Sequence, residues 1–494
     1  MANTRLSKST FIRGLQCEKS LYLYKHNYKL KDAISSSLQA VFDQGSNIGV
    51  LAQEMFPNGV DASPVSHFKM VESVHKTLEY IVRGESIIYE ATFLYDDVLT
   101  ALDILVKDHE GWKAYEVKSS TKVSETYIKD AAIQYYTITN SGTELVDISI
   151  IHINNQYIRN GDVDIDQLFS IESVYDQVIE FLPNIPNEVS RLKNVIASHE
   201  MPQIDIGPHC SKPYDCDFKG TCWKHIPDYS VFDISRLSKE KKFDLYKEGI
   251  ITLDQINLNN TLLNPSQVLQ VQSEVQGTIQ IDKNKIKDFK NNLSYPLYFL
   301  DFETFGPTVP KYNGSRPYQQ LVFQYSLHIQ DSLNPELIHR EYLGNPDEDP
   351  RIGFIEQLIK DCGNSGDILV YNIGFERGKL HDLIEVFPQY YDELRKIIDR
   401  LKDLMIPFQQ KWYYTPEMKG SYSIKHILPA LVPELSYKDL KISNGSTASN
   451  TFLAMVNGTF EGDIEDTRRQ LLDYCKLDTY AMVRIIDRLL HVCS

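Results

Sequence analysis

The chain has 494 residues, 42% of them hydrophobic and 24% charged, with a formal net charge of −16. That length predicts about two to four domains with proper apolar cores, and the acidic balance argues against one dominant basic surface while leaving room for a local basic groove. No run of about 18 apolar residues occurs and the opening MANTRLSKST has no apolar leader, so no membrane span is expected and a cytoplasmic protein is predicted. Seven cysteines are too few to frame a chain of this size with disulfides, so their spacing matters more than their number.

In chain order, Phe11, Leu15, Leu21 and Tyr22 recur at helical spacing and predict one helix that carries Cys17. Further on, the runs TALDILVK and WKAYEVKSS read as two strands joined by Asp108-His109-Glu110-Gly111, a good hairpin turn. Asp103 lies on the first strand, while Glu116 and Lys118, two apart, share one face of the second. Two carboxylates can hold a divalent cation through oxygen. A lysine beside them can polarise an attacking water or stabilise charge that develops on phosphate. A Glu–Lys pair is also common on sheet surfaces, so that motif alone decides nothing. The run DAAIQYYTI predicts a helix with Asp130 and Gln134 on one face.

Cys210, Cys216 and Cys222 follow in HCSKPYDCDFKGTCW, a loop marked by Pro213 and Gly220. With Cys17 they make four thiolates, enough for zinc or for an iron–sulfur cluster. Their spacing matches neither pattern and does not choose between them; His209 and His225 are near enough to stand in as ligands. Cys362, Cys475 and Cys493 are isolated and read as ordinary buried or tail thiols.

One cysteine, then Asp103, then Glu116-x-Lys118, then Gln134, then three cysteines: this order resembles the RecB-type PD-(D/E)XK nucleases. The likeness is to the iron–sulfur subgroup found among CRISPR-associated and AddAB-type nucleases. The resemblance implies that Asp103 and Glu116 are metal acids, Lys118 the catalytic lysine and Gln134 the motif glutamine. It implies too that Cys17, Cys210, Cys216 and Cys222 hold an iron–sulfur cluster of the 4Fe–4S kind, with zinc as the alternative. The early G-x-x-x-H of that type reads here Gly45-Ser46-Asn47-Ile48-Gly49, without the histidine. The metal would then have fewer protein ligands or the site would be weakened, and Glu90 in IIYEATF is not expected to replace the histidine.

Residues 229–293, with SKEKKFDLYKEGIITLDQI and NPSQVLQVQSEV around Gly249, read as a short helical linker. Next, YPLYFLDFETFGP is an apolar strand in which Asp301 and Glu303 face the same way, where like charges repel unless something positive sits between them. DILVYNIGFERGKL predicts a strand over Ile368 to Tyr371, followed by Asn372, Phe375, Glu376 and Leu380. Trp412, Tyr413 and Tyr414 read as core aromatics, with stacking on unpaired bases as the alternative. Gly420, Ser421, Tyr422, Ser423 and Lys425 either contact phosphate and position a base, or simply enter a helix capped by Ser423. LLDYCKLDTYAMVRIIDRLL is an amphipathic helix, on which Tyr474 and Asp478 point the same way.

A D-x-E strand, an acid after N-x-x-x and Y-x-x-x-D on a late helix look like the DEDD exonucleases of ribonuclease-H-like fold, in the tyrosine-bearing subtype. The resemblance implies that Asp301, Glu303, Glu376 and Asp478 ligate Mg²⁺ or Mn²⁺ and that Tyr474 positions the attacking water in a 3′ to 5′ exonuclease. Glu376 departs from the usual aspartate. As a whole the chain resembles the bacterial DUF2779-type proteins, which fuse the two kinds of domain. The expected fold class is α/β: a PD-(D/E)XK restriction-endonuclease-like domain over 1–228, a helical linker over 229–293 and a ribonuclease-H-like domain over 294–494. The expected function is a metal-dependent nuclease with two separate sites, acting on DNA with a free or single-stranded end in repair, processing or defence against foreign DNA. The alternatives are a ribonuclease, or a nucleic-acid-binding or scaffold protein in which one or both sites have decayed. Protein partners are not specified by the sequence.

Overall fold

Two mixed α/β units account for the chain in a computed structural model that describes residues 4–34, 36–66, 69–259, 262–331 and 336–492. The first comprises Met1–His225 with Thr308–Pro317, the second Ile226–Pro307 with Tyr318–Ser494. No helix among the described residues is long and apolar enough to cross a membrane.

In the first unit the strands are β1 (Leu6–Ser7), β2 (Val60–Asp61), β3 (Ile87–Tyr95), β4 (Val98–Lys107), β5 (Trp112–Lys118), β6 (Leu145–Ile153) and β7 (Phe169–Ser173). They form one sheet in the order β2-β3-β4-β5-β6-β7, with β1 on β4. β4 and β5 make the expected antiparallel hairpin. β5 and β6 run parallel, so the chain must cross over between them, and it does so through the Glu125–Asn140 helix. Ser124 caps that helix, and Ala131, Ala132 and Ile133 bury its inner side in the core with Leu102, Ala114 and Ile148.

Around Cys17 the single expected helix is in fact two, Lys8–Gln16 and Glu18–His26. Cys17 is extended between them, at φ −163° and ψ 115°. Each helix has its own apolar residues, so the periodicity runs across a one-residue break that it cannot detect. Ser7 closes a capping box on the first helix, and Glu18 opens the second with an acid in its first turn.

In the second unit the strands are β8 (Gln280–Ile281), β9 (Leu297–Phe305), β10 (Leu321–Gln330), β11 (Ile338–Leu343), β12 (Asp367–Val370), β13 (Leu401–Asp403) and β14 (Tyr413–Tyr414). Five of them make a sheet ordered β11-β10-β9-β12-β13, while β8 and β14 form a separate ribbon. β10 is antiparallel to β9, and β12 is parallel to it. Alternation along β9 feeds two cores. Leu297 and Phe299 join the core of the Ile464–His491 helix, whereas Tyr298, Leu300 and Phe302 pack with Phe354, Leu358 and Leu394. Asp301 and Glu303 continue the first series, so period two delivers both acids to the face that the long helix covers.

The expected linker is not separate. Val231, Ile234, Leu237, Leu253, Ile256 and Val271 build a small core of their own, and Ile286 enters the main core of the second unit. Tyr229 and Tyr414 both donate to Glu274 Oε1, at 3.0 and 2.5 Å. The segment reads as polar because its buried apolar residues are scattered over short turns and single helix positions, yet they fold it into the second unit, and the division falls at His225/Ile226 rather than at 228. The short stretch Thr308–Pro317 belongs to the first unit, where Arg159 donates to the carbonyls of Pro310 and Lys311.

Candidate metal centres

The first acidic group is assembled by β3, β4, β5 and the Glu125–Asn140 helix. Glu116 is 2% exposed; its Oε1 accepts from Lys118 Nζ at 2.9 Å and from Lys8, and its Oε2 accepts from Gln134 Nε2 at 2.7 Å. Lys118 also donates to Asp130 Oδ2 at 2.8 Å. Burial opposes the charge on Glu116, but Lys118 and Lys8 outweigh it and hold the carboxyl down at about 2. Asp103 accepts from the Val117 amide at 2.5 Å. Desolvation, then the charge of Glu116, push its carboxyl up to about 8. The structure therefore gathers Asp103, Glu116, Lys118, Asp130 and Gln134 as the sequence places them.

It adds two residues. Lys8 comes from the first helix of the chain, with no motif to announce it. Glu90, discounted from sequence, lies between the pairs Tyr89–Ile104 and Ala91–Leu102 and so stands across from Asp103. Its φ of 55° is a left-handed kink in an otherwise regular strand, and burial with the charge of Glu116 raises its carboxyl. An acid in the middle of the apolar run IIYEATF was the available signal.

Cys17, Cys210, Cys216 and Cys222 line one cavity together with His209, Phe218 and Trp223. All four are free thiols. Gln16, next to Cys17, clamps the distant loop by donating to the carbonyls of His209 and Tyr214, both at 2.7 Å. Arg13 grips Asp217 with two hydrogen bonds, at 2.5 and 3.0 Å. No three of the four thiols come within 4.8 Å of one another. Burial lowers the pKa of the His209 imidazole at the cavity wall. His225 is not among the residues lining the cavity.

The second acidic group is tighter. Asp301 and Glu303 on β9 and Asp478 on the Ile464–His491 helix bring carboxylate oxygens within 4.8 Å of one another. Among the described residues this is the one such triple. Desolvation, then Asp478, raise Asp301 well above the usual carboxylate range; burial, then Asp301 and Asp478, do the same to Glu303. Asp478 is pushed up to about 6 by burial, with hydrogen bonds from Tyr437 and Tyr474 pulling the other way. Glu376, in the first turn of the Ile373–Val386 helix, is 1% exposed, and its Oε2 has no hydrogen-bond partner among the described residues. Burial raises its carboxyl, and the neighbouring charge of Asp301 raises it further. Four acids thus sit where they cannot all ionise unless a cation shares them.

Residues 298–423 match the family model described as Domain of unknown function (DUF2779). Apart from Thr308–Pro317, the matched stretch falls in the second unit. The chain is 25% identical over 304 residues to the uncharacterized protein UU173 of Ureaplasma parvum, an alignment covering 53% of this chain and 41% of that protein. It is 25% identical over 223 residues to the uncharacterized protein MG366 of Mycoplasma genitalium, covering 41% of this chain and 33% of that protein. A homologue of MG366 in Mycoplasma pneumoniae is 27% identical over 221 residues. The chain thus matches well under half the length of each of these relatives.

The DUF2779 segment contains Asp301, Glu303 and Glu376, while Tyr474 and Asp478 come from beyond it. Tyr437, also beyond it, donates to Asp478 Oδ1 at 2.6 Å and was not singled out from sequence. Cys475, read as an ordinary buried thiol, lies against the cluster with Sγ 3.8 Å from Asp301 Oδ2. Behind the acids, Thr479 Oγ1 is 2.7 Å from Ser326 Oγ and 2.8 Å from His328 Nδ1, and Ser326 is the register partner of Asp301. These polar contacts fix the long helix against the sheet. Gly420 has φ +73° and no room for a side chain, since a Cβ would meet Gln270 Nε2 at 2.2 Å and Asp233 O at 2.7 Å. The Ser421–Lys425 stretch is thereby seated on the segment read as a linker. Ser423 is the helix cap position but makes no side-chain cap bond. Tyr414 is buried and Trp412 packs against Phe289, so the expected core use of these aromatics holds. Cys362 is buried, and Cys493 lies outside the described residues.

Proposed function

We propose that this protein is a metal-dependent nuclease with two separate hydrolytic centres, a PD-(D/E)XK restriction-endonuclease-like first unit and a ribonuclease-H-like second unit. The reading is carried by one observation above all: Asp301, Glu303 and Asp478 hold carboxylate oxygens within 4.8 Å of one another at a buried face. Such a cage is unfavourable without a cation and suited to Mg²⁺ or Mn²⁺. When bound there, the cations supply charge that stabilises the attacking and leaving oxygens of a phosphodiester. Asp301, Glu303, Asp478 and Glu376 are the ligands, and Tyr474 orients the attacking water. The hydrogen bond from Tyr437 favours the charged form of Asp478 against its burial.

At the first centre Asp103 and Glu116 are the metal acids, Lys118 stabilises charge on the phosphate, and Gln134 orients Glu116. A second reading has specific support here: Lys8 and Lys118 already neutralise Glu116. On that reading the first unit binds nucleic acid through a decayed site and leaves hydrolysis to the second.

The four thiols share one cavity and would hold a 4Fe–4S cluster, with a single zinc as the alternative. The substrate is DNA with a free or single-stranded end, and the setting is repair, processing or defence against foreign DNA.

The test is degradation of 3′-labelled single-stranded DNA, with RNA alongside, by full-length protein carrying Glu116→Ala, with and without Mn²⁺. Stepwise shortening from the 3′ end that requires Mn²⁺ and falls at least about a hundredfold in Asp301→Asn is expected. Shortening that persists in Asp301→Asn would sink the assignment.

A further inference from the structure

Two positively polarised features reach the second acidic cluster from outside it. Lys425 is exposed in the first turn of the Ile424–Leu431 helix, and its Nζ donates to Ser443 O at 3.3 Å. Ser443 precedes Asn444, which caps the 12-residue Gly445–Val456 helix by accepting from Thr447 N. That cap leaves the leading N–H groups of the helix without an intrahelical acceptor, at its positive end. Gly445 stands beside the acids, since a Cβ there would lie 3.5 Å from Glu303 Oε2 and 3.9 Å from the Tyr474 hydroxyl. Glu303 is 8% exposed and aimed at this helix end, and among the described residues neither of its oxygens accepts a hydrogen bond.

The placement of Lys425 costs stability. A cation in the first turn opposes the helix dipole, and neither first turn holds an acid to offset it. Its charge favours ionisation of Glu303 and Asp478. Buried acids flanked by an exposed cation and by free amides are the complement of a metal-bound phosphodiester, whose ions the acids take and whose oxygens the cation and amides take.

We propose that Lys425 and the Gly445 end of its neighbouring helix hold a backbone phosphate of the substrate strand beside the acidic cluster. This rests on the nuclease reading of that cluster. A lysine acts as a point charge, so the contact fixes the strand without reading its bases.

The test is anisotropy of a labelled single-stranded oligonucleotide on full-length protein carrying both Glu116→Ala and Asp301→Asn, which silences both centres and keeps the strand intact, over a range of salt. Adding Lys425→Ala should reduce the salt slope of log affinity by about 0.7, the value for one phosphate contact on a single strand, while Lys425→Arg keeps it. With Asp301 restored, Lys425→Ala should lower kcat/KM on the 3′-labelled strand about tenfold while a Mn²⁺-induced melting shift persists. A purely structural lysine would move the melting temperature and not the slope. An unchanged slope in Lys425→Ala overturns the proposal, as does displacement of the strand by equimolar dAMP, which would assign the site to a mononucleotide. Absence of hydrolysis in the wild-type protein, with the slope still falling in Lys425→Ala, would overturn the nuclease reading and uphold the phosphate contact.

Discussion

At Asp478 burial works against the charge, while Tyr437, Tyr474 and Lys425 work for it, and the carboxyl settles at about 6 against an ordinary 3.8. The folded state therefore binds this proton more tightly than the unfolded state does. Its stabilising effect is complete below pH 3.8 and is lost as pH rises through about 6. Asp301, Glu303 and Glu376 are raised in the same direction, and Asp103 reaches about 8. Glu116, held at about 2, works oppositely, but its window lies below 4.5 and does not interfere above it. Metal-free protein in EDTA is thus expected to melt lower at pH 7.5 than at pH 5, roughly 2–4 °C for each kcal/mol lost in units of this size. Asp478→Asn removes one of the titrating groups, so its melting temperature should fall less over the same interval. A wild-type protein that melts higher at pH 7.5 would contradict the electrostatics described here.

The elements divide by how local their signals are. The D-x-E strand and the late helix were legible because periods of 2.0 and 3.6 place Asp301 with Glu303 and Tyr474 with Asp478 from a few neighbours alone. Lys8, Glu90, Tyr437 and Gly445 were not, because they arrive from a helix start, a strand kink, a loop and a helix tip, none of which carries a period. The break at Cys17 belongs with these. It turns one residue out of two helices and places its thiol in the cavity shared with Cys210, Cys216 and Cys222. If a cluster joins them, it ties the opening helices to the last loop of the first unit, and its binding energy becomes folding energy. Protein purified without oxygen should contain about four irons with labile sulfide. Cys17→Ala should lose the iron and lower the melting temperature of the first unit. Stoichiometric zinc without iron would reject the cluster.

Across the whole molecule two units each keep their own core and their own group of acids, and the groups differ in state. At the first, lysines neutralise Glu116 from within; at the second, among the described residues, no ion pair involves Asp301, Glu303, Asp478 or Glu376. The sequence placed Lys118 beside Glu116 but not Lys8, whose charge compensation depends on tertiary placement that no spacing encodes. The extent of the second unit was equally hidden, because isolated buried residues such as Val231 and Ile286 carry no period that stands out from polar surroundings. The Asp301–Glu303–Asp478 cage is proposed to be a divalent-cation site, and binding of Mn²⁺ followed by electron paramagnetic resonance tests that role. In full-length protein carrying Glu116→Ala, Mn²⁺ should bind and Asp301→Asn should weaken that binding at least about tenfold, a loss on the order of 1.4 kcal/mol. Equal Mn²⁺ binding with and without Asp301 would contradict the account.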